Sequence, residues 1–179
     1  MQRADCRGAL VLALLPLVAP AGAATPADAA LAPLADVEWE DQLGGRDRLS
    51  NHRGEALVLL VVEARRLLLA GEWAEALQSR DLGVTLLTVA DAPPDVPVDP
   101  ARFAAMLRKR VPAGVRVWMD PGRSFAQALD LDTAEPNLLL VAPDGSLQSR
   151  RRGRATPALV DETAAAAAAL APISPERVP

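Results

Sequence analysis

The chain is 179 residues long, half hydrophobic but only 3% aromatic, and its formal net charge is −4. That length supports one domain with a sizeable core, built mostly of Leu, Val and Ala. The acidic balance argues against general binding to nucleic acid or anionic lipid, and the scarcity of aromatic rings argues against a base-stacking platform.

Residues 1–24 read as a secretory signal. Arg3 and Arg7 supply a positive start, and residues 9–19 form an apolar run too short to span a bilayer. Pro20 breaks that run, and Ala21-Gly22-Ala23 is a small-residue cleavage site, so cleavage is expected near Ala23 or Ala24. The processed protein is then periplasmic or secreted, with no transmembrane segment. Cys6, the single cysteine, falls inside the signal and ahead of its apolar run, where lipidation would not use it. The mature chain is therefore expected to lack disulfides, a thiolate nucleophile and cysteine metal ligands.

Residues 25–36 are rich in Ala and Pro and read as a flexible leader. Residues 37–41 alternate apolar and polar and suit a short strand; Gly44-Gly45 turns the chain, and residues 46–49 return as its hairpin partner. A polar loop, residues 50–54, follows. Residues 56–62 are a continuous apolar run, as expected of a central strand covered on both faces. Residues 63–66 break it. Leu69, Trp73, Ala76 and Leu77 then recur at helical spacing, which predicts a helix over 67–80.

A second buried strand is predicted at 84–89, followed by a proline-rich loop. Asp99 with Pro100 makes a favourable helix start, and the helix ends before Pro112. A third strand is predicted at 115–119, and a short helix follows with Phe125 and Leu129 four residues apart. Residues 137–141 form a fourth strand, Asp144-Gly145 a hairpin turn and residues 146–152 its partner. A last helix opens at Thr156-Pro157 and runs through an alanine tract to Leu170. Residues 37–171 thus make one α/β domain, a mixed sheet flanked by helices with an N-terminal hairpin, and residues 172–179 are a tail.

This order resembles the thioredoxin-like fold, in particular the redoxin branch that includes TlpA-type periplasmic thiol-disulfide proteins and peroxiredoxins. Three local matches carry the resemblance. They are Gly44-Gly45-Arg46 through Arg53-Gly54 ahead of the central strand, residues 129–141 with Pro136 before a strand, and Pro143-Asp144-Gly145 in a closing hairpin. The resemblance implies a cis proline at Pro136, with Glu135 offering main-chain hydrogen bonds to an extended partner. It also implies two cysteines at the start of the helix after the central strand. There the chain reads Glu63 to Gly71 as EARRLLLAG, and the cysteine positions hold Leu67 and Ala70. Thiol exchange and cysteine peroxidase chemistry both attack through sulfur, so neither activity carries over.

The remaining candidates have plainer readings beside the functional ones. Arg65 and Arg66 either meet an acidic partner or pair with Glu63 in a solvated loop. Arg150, Arg151, Arg152 and Arg154 either bind an anion or guard an edge strand by charge. His52 near Ser50 and Asp47 has the residue types of a hydrolase triad without its structured site. One histidine, no mature cysteine and scattered carboxylates lack metal-ligand spacing, and no phosphate-cradling glycine motif occurs, so no cofactor is expected. The expected function is a redox-inactive binding or accessory module of the cell envelope, holding an extended peptide or envelope protein at Leu67, Ala70, Glu135 and Pro136. The alternative is a thiol-disulfide oxidoreductase or peroxidase of the same family.

Overall fold

The computed structural model describes residues 31–80, 82–93, 97–112 and 114–170. The expected secretory signal, the first part of the expected leader, Cys6 and the expected tail lie outside the described residues. A two-stranded antiparallel hairpin, β1 (Trp39–Glu40) and β2 (Arg46–Asp47), precedes a five-stranded sheet. Its strands are β3 (Leu57–Glu63), β4 (Thr85–Asp91), β5 (Val117–Asp120), β6 (Asn137–Val141) and β7 (Leu147–Arg152), in the order β5-β4-β3-β6-β7. β3 pairs parallel with β4 and antiparallel with β6, and β4 pairs parallel with β5.

The sequence dictates the centre directly. β3 reads LVLLVVE, and its first six residues are all buried. A strand enclosed on both faces must be apolar throughout. Alternation then sorts its side chains into two layers. Val58, Leu60 and Val62 face a layer with Trp73, Leu77 and Val160, carried by α1 (Leu67–Gln78) and α4 (Pro157–Leu170). Leu57, Leu59 and Val61 face the other layer, which contains Trp39, Trp118 and Phe125. There Trp39 stacks on Trp118 with ring centroids 6.4 Å apart and meets Phe125 at 4.8 Å. Phe125 sits on α3 (Ser124–Leu129).

α2 (Pro100–Arg110) starts where Asp99 and Pro100 predict it: the Asp99 carboxylate accepts the Arg102 N–H at 2.8 Å. Its Phe103 and Leu107 pack with Ala64, Ala90, Val117 and Met119 beside the β4–β5 edge. Trp73 ties α1 to the end of the edge strand β7, since its indole N–H donates to the Gly153 carbonyl at 2.9 Å.

Three differences from the sequence pattern bear on the site. Packing begins before residue 37, because Leu31 and Leu34 are buried in the tryptophan layer, where an i, i+3 apolar pair in an Ala/Pro-rich stretch finds a surface to cover. Each parallel strand ends one or two residues later than its apolar run, on Glu63, Asp91 or Asp120, because the ladder continues in register through those acids. No peptide bond among the described residues is cis, so the cis geometry expected at Pro136 is corrected to trans. A trans bond suits a proline that leads from a turn into an antiparallel strand, and β6 begins at the next residue, Asn137, which pairs with Val61 of β3 and Arg152 of β7.

Candidate functional site

The C-terminal ends of β3, β4 and β5 and the start of α1 meet at one edge of the sheet. Between β3 and α1 lies a single short turn, Ala64–Arg66. α1 then opens on Leu67 with no side-chain cap and no acidic residue in its first turn. Arg65 lies 3.6 Å from Glu63, so the polar loop is paired within itself, while Arg66 forms no ion pair among the described residues. Leu67 is half-buried, Ala70 is buried and Leu68 is 84% exposed. Leu67 and Leu68 therefore leave the site open. Leu67, Leu68, Ala70, Gly71 and Ala74 form one wall of an open cavity of about 570 Å³, and Arg110, Val111, Pro112 and Val115 form the other. The cavity lies on the β4–β5 side of α1.

Glu135 and Pro136 lie across β3 on the β6 side, because Asn137 pairs with Val61. They do not line the cavity of Leu67 and Ala70. Their main-chain oxygens are already engaged. The Asn137 amide donates to the carbonyls of Glu135 and Asp132, both at 2.9 Å, and the Pro136 carbonyl accepts the Gly153 N–H at 3.0 Å. The Glu135 carboxylate faces Arg152 at 3.4 Å, and Arg152 also pairs with Asp132. The structure thus brings Leu67 and Ala70 together and leaves Glu135 and Pro136 on a separate, hydrogen-bonded flank.

A row of carboxylates at the strand ends is the feature that sequence reasoning missed. Glu63, Asp91 and Asp120 are successive register partners across the three parallel strands. Asp91 and Asp120 are buried. Asp91 Oδ2 accepts from the Thr133 hydroxyl at 2.6 Å and from Arg123 Nε at 3.2 Å, and Asp120 Oδ2 accepts the Phe125 N–H at 2.9 Å. Burial raises the Asp91 carboxyl above the usual carboxylate range, and the neighbouring Asp120 adds to this, against lowering by Thr133 and Arg123. Oδ1 of each aspartate is buried without a hydrogen-bond partner among the described residues. The signal was present in the sequence: three apolar runs that each stop on an acid.

The other candidates resolve into local structure. His52 has Nε2 2.9 Å from Asp47 and Nδ1 3.5 Å from Glu55, with its ring beside Trp118. Both nitrogens face carboxylates and neither bonds to Ser50, so the base and nucleophile of a triad do not meet. Burial alone would raise Asp47, but hydrogen bonds from Asn51, His52 and the Arg48 N–H together bring it below its ordinary value. Arg150 donates to the carbonyls of Leu129 and Asp130 at 3.0 and 3.1 Å, which ties the charged edge strand β7 to the turn before β6.

No family model and no curated protein matches the chain. Solved structures do. The exposed lipoprotein thioredoxin of Streptococcus pneumoniae superposes with a TM-score of 0.60 at 17% identity, over 74% of this chain and 99% of its own. Peroxiredoxin Q of Xanthomonas campestris gives 0.55 at 19% identity, over 79% and 96%. The bacterioferritin comigratory protein of Xanthomonas campestris, whose structure addresses alkyl peroxide reduction, gives 0.56 at 17%, over 78% and 94%. At such identities the likeness speaks of architecture: this chain has the thioredoxin-like fold.

Proposed function

We propose that this protein is an exported, redox-inactive thioredoxin-like module that binds a protein or peptide at the start of α1 and serves as an accessory component of the cell envelope. One observation supports the reading above others. Leu67 and Ala70, at the turn where redoxins of this fold place their sulfur, line an open apolar cavity beside the 84%-exposed Leu68. An apolar surface held open to water suits contact with a partner, and neither side chain offers a nucleophile. The signal-like residues 1–24 support export, with processing near Ala23 or Ala24 leaving Cys6 behind.

The processed protein is expected to show no dithiol-dependent insulin reduction and no peroxide consumption above buffer; measurable turnover in either assay overturns the reading. Mass spectrometry of the exported form is expected to begin near Ala24 or Thr25. Retention of Cys6 would restore the alternative, a TlpA- or redoxin-type oxidoreductase or peroxidase. That alternative draws its support from the redox proteins among the structural neighbours, and without Cys6 it needs a thiol from another protein.

A further inference from the structure

The sheet carries a gap on the same side of α1 as the cavity. β5 pairs with β4 only from Thr88↔Val117 to Asp91↔Asp120, whereas β4 begins at Thr85. The Thr85 N–H donates to the Ala56 carbonyl at 3.0 Å and so faces β3. Main-chain groups alternate sides along a strand, which turns the N–H and C=O of Leu86 to the opposite edge. No strand lies there among the described residues.

The chain ahead of β5 does not fill the gap. Gly114, at φ +86°, and the Val115 N–H, which returns to the Pro112 carbonyl at 3.2 Å, turn it aside. The Gln42 side chain then holds it there, donating to the Val115 carbonyl at 2.7 Å and accepting the Val117 N–H at 2.9 Å. The space left is a second cavity of about 360 Å³, lined among others by Leu86, Leu87 and Arg116. It shares Ala74, Thr88 and Val115 with the cavity of Leu67 and Ala70, so the two form one channel along α1.

The charge in this channel is one-sided. Its Leu67 end is lined by Arg65, which lies 3.6 Å from Glu63, and by Arg110, whose Nη1 donates to the Ala64 carbonyl at 3.4 Å, while Arg66 in the turn ahead of Leu67 forms no ion pair among the described residues. At the other end the acids are engaged: Asp41 accepts the N–H groups of Leu43 and Gly45, both at 2.8 Å, and Asp47 faces Asn51 and His52, both at 2.9 Å. A chain that is acidic overall thus presents guanidinium groups around an apolar slot with an unpaired strand edge.

We propose that an extended segment of another protein, with alternating apolar and acidic residues, docks in this channel by adding a strand to β4 at Leu86, its carboxylates meeting Arg66 and Arg110. This assigns a location, a binding mode and a partner chemistry to the binding-module reading, on which it rests.

The test uses the processed protein and synthetic peptides of about eight residues, alternating Val with Glu, Lys or Ser, followed by amide NMR and hydrogen exchange. The Val/Glu peptide is expected to slow exchange of the Leu86 amide about tenfold and to shift Ala74, Thr88 and Val115. The Val/Lys peptide is expected to bind about tenfold more weakly. Ala74→Glu, which places bulk and negative charge in the slot, is expected to abolish the protection, and Arg66→Glu with Arg110→Glu is expected to reverse the peptide preference even if the Ala74 variant fails to fold. If no peptide protects Leu86, or if protection arises without peptide as protein concentration rises, the proposal fails; the latter result identifies a second copy as the occupant. A peptide that shifts only Leu67, Ala70 or Pro136 overturns strand addition while leaving the binding module intact, and thiol or peroxide turnover overturns the module itself.

Discussion

The two flanks of α1's first turn have been finished in opposite ways. On the β6 side, the Asn137 amide, the Gly153 N–H and Arg152 occupy the polar groups of residues 132–136. On the β4–β5 side, the same turn borders a channel with exposed Leu68, a 45%-exposed Val115 and an unpaired strand edge. Both flanks end strands of one sheet, so the backbone does not impose the contrast. Side chains do: an asparagine that folds back on its own loop closes one flank, and a glutamine that holds the chain before β5 aside opens the other.

The largest expected effect comes from the residue that holds α1 between the flanks. Trp73→Ala removes a fully buried indole and its bond to Gly153, and is expected to cost about 3–5 kcal/mol in urea unfolding. Both flanks should be disturbed together, and a loss confined to one would show that they do not share α1 as a common wall. Asn137→Ala strips two carbonyls of a buried donor and is expected to cost about 1–3 kcal/mol. It should also raise exchange in residues 132–136 and leave Leu86 unchanged; a change at Leu86 would join the flanks energetically.

Asp91→Asn tests the carboxylate row beneath the open flank. Burial raises the Asp91 carboxyl, so between the unfolded value of about 3.9 and the higher folded value the native state holds a proton that the unfolded chain releases. Stability from this group is therefore fully present below the unfolded value and is lost as pH rises through the folded one. Asparagine does not titrate, so the variant's unfolding free energy should decline less than that of the parent chain as pH rises from 4 to 7, in urea titrations at each pH; an equal decline would remove Asp91 as its source. The smallest effect on stability is expected at Leu68→Asp. Leu68 is exposed and sits at the start of an uncapped helix, so the thermal midpoint should move by no more than about 0.5 kcal/mol equivalent, while binding of the Val/Glu peptide falls.

How much of this was legible in the sequence follows from range. Local signals carried the elements: the apolar run of β3, the Asp99-Pro100 helix start and the Asp144-Gly145 hairpin all stand where residues three or four apart decide the structure. Leu67 and Ala70 were legible as residues at the start of α1 because they follow directly from the end of β3. What they face was not, since the opposite wall comes from Arg110 to Val115, more than thirty residues later. Pairing Pro136 with them relied on family likeness, and the cavity belongs instead to the other flank. The carboxylate row required register: each acid looked like the polar end of its own strand until the ladder placed Asp91 between Glu63 and Asp120.

The division of the tryptophans between layers has a spectroscopic consequence. The chain has three tryptophans and no tyrosine, so its near-ultraviolet signal is dominated by indoles. Trp73 reports from the layer of α1 and α4. Trp39 and Trp118, stacked with nearly parallel ring planes at an interplanar angle of 10°, report from the other and are close enough for their transitions to couple. Circular dichroism of the stacked pair and fluorescence of a Trp39→Phe, Trp118→Phe variant therefore watch the two layers through separate channels, and their melting curves will superimpose only if the sheet releases both faces in one step.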